Sequence, residues 1–269
     1  LSSKGLSPED CKLVEQHADD KITLYYKQND ILGEQIFDIL KRNCRALFYP
    51  LEDDDVWGFY EKIGGHSFIC INTSIDFDKQ VFVAAHELYH LWYNHPEELI
   101  LASDIEERDQ NLSIEEKRAN RFAAVFLVPE MLLGREIVAG KIDIATIEVQ
   151  DIVKLARTFL VPYRTMVKRL CEIGKISDSK CLEFLNVTED QVAIWRKRLG
   201  VELVKRTNNI SLDVLVDKAI SAFDHNQITR AKLEYLLSLA STTTKELGIP
   251  DEEPYVRPSE DELQALMED

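Results

Sequence analysis

Phe82-Val83-Ala84-Ala85-His86-Glu87-Leu88-Tyr89-His90-Leu91 is the stretch on which the reading turns. The pattern around it is helical from about Phe77 to Asn94, and the apolar Val81 to Ala85 ahead of the histidines marks a helix buried in a core. Residues four apart on a helix share one face, about one turn apart. Two imidazoles at that spacing can grip one metal ion, and Glu87 is placed to take a proton from a water held there. The residue types suit that chemistry. Neutral imidazole binds Zn²⁺ through nitrogen at about 2.0–2.1 Å and leaves a position open for water. The ion brings that water's pKa toward about 7, within reach of a carboxylate base. The chain has six histidines, so chance supplies roughly 0.01 copies of the pentad at this length. The bland alternative is an amphipathic helix with two satisfied core histidines.

A third protein ligand is needed. The metzincin pattern asks for a histidine six residues after His90, but Pro96 stands there and no glycine precedes it. His95 is one residue short and reads as a residue near the helix C-terminus, beside the macrodipole. The better candidate lies on the next long helix, from about Ser113 to Val128 and stopped by Pro129. There Glu116 and Asn120 share a face, and Ala119, Ala123 and Ala124 are small enough for two helices to approach closely. Glu116 would complete a His₂Glu set. Ser113-x-x-Glu116 is equally a capping box, so Glu116 could instead cap its own helix. Glu115 is a second nearby acid. Asn120 is either a partner behind the ligands or a packing residue.

Upstream, Ser7-Pro8-Glu9-Asp10 opens a helix running to about Gln28, followed by another over Ile31 to Asn43. Three short β runs follow, Cys44 to Tyr49, Val56 to Ile63 and His66 to Asn72, the last two joined by Gly64-Gly65 as a hairpin. Past Pro129, helices are expected over 130–139, 145–158, 162–174, 178–186, 189–199, 211–224 and 229–247. The fold class is therefore α+β and mostly helical, with a small three-stranded sheet in the N-terminal core and a helical C-terminal region. The boundaries are drawn at 1–140, 141–206, 207–249 and 250–269. The last is an acidic, proline-containing tail whose Ser259 to Glu262 matches a capping box.

Composition excludes several classes. The chain has 269 residues, 45% of them hydrophobic, which is enough for a real core and rules out wholesale disorder. The longest apolar run, Phe122 to Val128, is far short of the ~20 residues a membrane helix needs. No basic-then-apolar leader opens the chain, so a signal peptide is not expected. Five scattered cysteines, none in a CxxC pair, argue against a disulfide framework and a thiolate zinc site, and for a reducing cytoplasm. The net charge of −16 argues against wrapping nucleic acid. Asp151 to Arg206 runs the other way, with twelve basic against seven acidic residues. Within it, Ile152 to Leu170 reads as a helix-turn-helix, with Leu155, Ala156, Phe159, Met166 and Leu170 in its core. DNA contact is the minor expectation, and packing or partner recognition the main one.

The run Phe82 to Leu91, then Glu116-x-x-Ala119-Asn120-x-Phe122-Ala123-Ala124, then Leu127-Val128-Pro129, resembles the ImmA/IrrE family of metallopeptidases. Gly58-Phe59 and Ile69-Cys70-Ile71-Asn72 upstream are also similar to it. The likeness covers about residues 25–185 and is most specific in the two helices. It implies a zincin-like core and a cytoplasmic gluzincin-type zinc endopeptidase. It implies His86, His90 and Glu116 as ligands of Zn²⁺ and Glu87 as the catalytic base. The substrates it implies are helix-turn-helix repressors or antitoxin-like regulators. Two positions depart from the pattern. Arg118 stands where an acid is common and reads as a tolerated surface change. Tyr89 replaces the commoner glycine within the pentad, which implies a narrower cleft. Candidates for stabilising the oxyanion, by nearness in sequence alone, are Tyr60, His66, Tyr89 and His95. The strand His66 to Asn72 offers an edge for an extended substrate, or simply backs the helix. The competing function is a binding protein that sequesters a partner without cleaving it.

Overall fold

The computed structural model describes residues 6–25, 27–53, 55–63, 65–93, 112–201, 206–212 and 215–250. The expectations for His95, Gly64 and the tail beyond Pro250 lie outside the described residues. The chain divides into two compact units, residues 1–213 and 214–269.

In the first unit, α1 (Pro8–Leu24) starts in a capping box between Ser7 and Asp10 with Pro8 in its first turn. A short 3₁₀ turn leads into α2 (Ile36–Asn43). Strands β1 (Arg45–Tyr49), β2 (Gly58–Ile63) and β3 (His66–Asn72) follow. The β2–β3 hairpin turns at Gly65, whose φ of +81° is the left-handed conformation glycine accepts. The hairpin folds β3 back between β2 and β1, antiparallel to the first and parallel to the second. A fourth strand, β4 (Ser211–Leu212), pairs with Leu47 and Phe48 of β1, giving the order β2-β3-β1-β4.

Two expectations are corrected here. The sheet has four strands, because residues 208–212 are pinned to it rather than starting a helix at 211. Asn208 N–H donates to Thr73 O, and Thr73 Oγ1 donates to Asn209 O. Strand β3 is interior, so it cannot offer the free edge; that edge belongs to β2.

The sheet supports α3 (Phe77–Tyr93), whose residues from Gln80 to His90 are all buried. Gly58 lets β2 come close to it. A Cβ there would stand 2.6 Å from Cys70 O and 3.1 Å from Val83 Cγ2. Asn72, fully buried, ties the loop before β2 to the end of β3. Its Oδ1 accepts from Leu51 N–H and Ser74 N–H, and its Nδ2 donates to Asp53 O and Val56 O. Against α3 lies α4 (Ile114–Leu127), presenting Ala119 and Ala123, both 0% exposed. Outward of them, Tyr89, Trp92, Tyr93, Phe122 and Phe126 form an aromatic cluster.

Helices α5 (Glu130–Ala139), α6 (Val149–Phe159), α7 (Tyr163–Glu172), α8 (Asp178–Leu185) and α9 (Glu189–Arg198) complete this unit. The turn between α6 and α7 passes through Leu160 at φ +52°. Leu155, Ala156, Phe159, Met166 and Leu170 are all buried. Asp78 near the start of α3 pairs with Arg196 of α9, Oδ2 to Nη2 2.9 Å.

In the second unit, α10 (Leu215–Asp224) and α11 (Arg230–Leu239) pack through Ala219, Leu233 and Leu237. Helix α11 ends well before the expected 247. Ser241 takes φ +51°, and the β-branched Thr242-Thr243-Thr244 run disfavours helix. Thr243 instead donates from N–H and Oγ1 to the Glu246 carboxylate.

Candidate metal centre

His86 and His90 face the same way from α3, and Glu116 reaches them from the first turn of α4. All three are at most 5% exposed. His86 Nε2 is 3.1 Å from Glu116 Oε2, His90 Nε2 is 3.1 Å from Glu116 Oε1, and the two Nε2 atoms are 3.1 Å apart. Among the described residues this is the only group of three or more His, Cys, Asp or Glu side chains with converging donor atoms. The two roles open for Glu116 separate at this point. Ser113 Oγ caps α4 by accepting from Glu116 N–H, while the Glu116 carboxylate turns inward to the imidazoles rather than back to Ser113.

The donor set fits a divalent cation. Bonds of about 2.0–2.1 Å at tetrahedral angles put donor atoms about 3.3 Å apart, close to the spacing seen. His86 Nδ1 is 2.9 Å from Asn120 Oδ1. Glu116 Oε1 is buried and faces His90 Nε2. Two imidazole nitrogens and a carboxylate thus meet with more lone pairs than protons, which a cation relieves.

A search of the curated proteins found no match. The family model Peptidase_M78, described as the IrrE N-terminal-like domain, matches residues 39–171, spanning β1, β2, β3, α3 and α4. This segment belongs to the ImmA/IrrE family of metallopeptidases. A Mycobacterium tuberculosis transcriptional regulator of known structure aligns over 58% of this chain and 46% of its own length. Its identity is 19% and its TM-score 0.40, too loose to carry any inference.

Within this IrrE-like domain, Glu87 is 2% exposed and points toward β2. Burial pushes its pKa up to about 7, against the opposing charge of His86 and a hydrogen bond from the Tyr60 main chain. Burial also opposes charge on Glu116 and on His86. Their mutual contact outweighs it, holding the Glu116 carboxyl well below the usual range and raising His86. His90 is lowered, by burial first and by the charge of His86.

The four candidates for an oxyanion donor fare differently. Tyr60 meets Glu87 through its main chain, while its hydroxyl pairs with Ser67 Oγ. Tyr89 is spent on packing among His17, Tyr93 and Phe122. His66 is exposed at the start of β3. His95 is outside the described residues. The Tyr60 contact was invisible to residue-type reasoning, because a main-chain N–H carries no signature in the sequence.

Arg118 is not a free surface change. Its Nε donates to Asp10 Oδ1 at 3.1 Å and its Nη1 to Glu115 Oε1 at 2.8 Å, fastening α1 to α4. Among the described residues, no helix is long and apolar enough to cross a membrane.

Proposed function

We propose that this protein is a zinc-dependent endopeptidase that cleaves a helix-turn-helix repressor or an antitoxin-like regulator. The observation that carries the reading is the convergence of His86 and His90 of α3 with Glu116 of α4, all buried, beside the buried Glu87. Zinc held by the three ligands would supply Lewis-acid polarisation and an acidified water. Glu87 is the base. A carboxyl poised near pH 7 both takes a proton from water and returns it to the leaving amine. The Tyr60 main chain holds that carboxylate in place. The substrate class rests on the family resemblance alone. A cytoplasmic location is supported by five free thiols. DNA contact is not part of the proposal.

One observation favours the second reading, a partner-sequestering protein that does not cleave. His86, Glu87 and His90 are each no more than 2% exposed, so a peptide reaches them only if the surrounding structure gives way.

Metal content of protein purified without added metal tests the first reading, for wild type, His90→Ala and Glu116→Ala. About one zinc per wild-type chain, lost in both variants, is the expected result. A wild type that takes up no zinc refutes it. Glu87→Gln then separates the two functions. It should keep zinc and partner binding while abolishing cleavage, and full biological activity in that variant would give the function to binding.

A further inference from the structure

Cys171 lies in the last turn of α7 and Cys181 near the start of α8, on either side of the turn at 173–177. Their thiols meet. Cys171 Sγ donates to Asp178 Oδ1 at 3.6 Å, and the Cys181 side chain hydrogen-bonds Cys171. Asp178 and Cys181 are three apart on α8, so one helix face carries both toward α7. Both cysteines are free. They differ in access. Cys181 is 0% exposed, whereas Cys171 is half-buried and open to a small reagent. Burial, and after it the contact with Cys171, pushes the Cys181 thiol up to about 12. A thiol so held keeps its proton and is inert until its neighbour has been activated.

We propose that Cys171 and Cys181 form a redox modification site, a dithiol that exchanges with a low-molecular-weight disulfide such as oxidised glutathione and ends as a bond between α7 and α8. The proposal is independent of the metal-site reading. Cys171 reacts first because it is the sulfur a reagent reaches. Its sulfur attacks the small disulfide, whose S–S bond breaks, and one small thiol leaves. Cys181 then attacks the mixed disulfide at Cys171 and expels the second small thiol. The two cysteine protons depart on the two released thiols, so the protein is oxidised by two electrons and the reagent is reduced by two. The bond closes the loop from 171 to 181. Cys171 also sits between two residues with which α7 grips α4. Arg169 donates to Val128 O, and Glu172 pairs with Arg121. Oxidation therefore ties α8 to the helix that braces α4.

The test uses the full chain incubated with oxidised glutathione, alkylated and digested with trypsin. Cleavage after Arg169, Lys175, Lys180 and Arg196 leaves Cys171 in peptide 170–175 and Cys181 in peptide 181–196. The expected product is these two peptides joined, released again by dithiothreitol. Cys171→Ser should form no joined species and leave Cys181 unmodified. Cys181→Ala should stop with glutathione on Cys171. Oxidised wild type should unfold at a midpoint higher by roughly 5–10 °C, as closing a loop of this size predicts when the bond fits the native geometry. Joined peptides that form only in urea overturn the proposal. So does glutathione retained on Cys171 in the wild type as fully as in Cys181→Ala. A midpoint that does not rise on oxidation overturns it as well, because the bond would then not fit the folded α7–α8 pair.

Discussion

Burying Glu87 has a cost that can be measured without any substrate. Its pKa rises from 4.5 to about 7 on folding, chiefly through burial. Between those values the folded protein keeps a proton that the unfolded chain has released, so stability falls as pH rises. The penalty is absent below the lower value and complete above the upper one. A difference of about 2.5 pKa units corresponds to roughly 3 kcal/mol. Glu87→Gln is nearly isosteric, can still accept from the Tyr60 main chain, and cannot ionise. In chelator-treated protein at pH 8 it should therefore be about 3 kcal/mol more stable than wild type by urea unfolding. For a unit of this size that is roughly 6–12 °C in midpoint. At pH 5 the gain should shrink below about 1 kcal/mol. Zinc should narrow the pH 8 difference, because a cation beside Glu87 favours its charged form. Equal gain at pH 5 and pH 8 would mean that ionisation is not its source. No gain at pH 8 would mean that Glu87 sits in a more polar setting than its burial indicates.

Arg196→Leu should strip the partner from Asp78, which is 2% exposed and whose pKa burial raises to about 6. The expected loss is about 3–5 kcal/mol at pH 8, diminishing below pH 5 where Asp78 carries a proton, as read by denaturant midpoints across pH. Gly58→Ala would set a Cβ 2.6 Å from the Cys70 carbonyl oxygen, which main chain cannot easily yield. It should cost about 1–3 kcal/mol and speed amide exchange along β2. Exchange at β2 unchanged from wild type would show that the sheet absorbs the methyl elsewhere.

The fold was legible where a local rule sufficed. Val81 to Ala85 announced a helix buried on all sides, Gly65 announced the hairpin, and Pro129 closed α4, because each acts through its own backbone or its immediate neighbours. Reading failed where pairing partners lie far apart in the chain. Nothing in Ser211-Leu212 names Leu47 and Phe48 as its partners, and a two-residue strand is too short for alternation to register. The same holds for the place of β3. Three β runs in order do not say that the third inserts between the other two. At the site, the pentad located two ligands by helical spacing, whereas Glu116 needed α4 to approach α3 at a particular register. Ala119 and Ala123 hinted at that approach without fixing it. The contact of Asn120 with His86 depends on which side chain stands opposite, 34 residues earlier.

The basic block shows how a charge count misleads in a different way. Twelve cations between Asp151 and Arg206 suggest a positive face, and α6–α7 has the outline of a DNA-binding hairpin. Helix α7 is instead an interior element. Arg169 is 4% exposed, donates from Nε to Val128 O, and pairs with Glu172. Glu172 also meets Arg121 of α4. Arg164 donates to Leu185 O at the end of α8, and Arg196 neutralises Asp78 inside α3. These cations hold helices together, and burial lowers the pKa of Arg169 to about 10 rather than leaving it an ordinary surface charge. A helix whose Tyr163, Thr165, Met166, Val167, Arg169 and Leu170 are all covered has little left to lay in a groove. Its charges act on the fold, bracing the C-terminal end of α4, whose first turn carries Glu116.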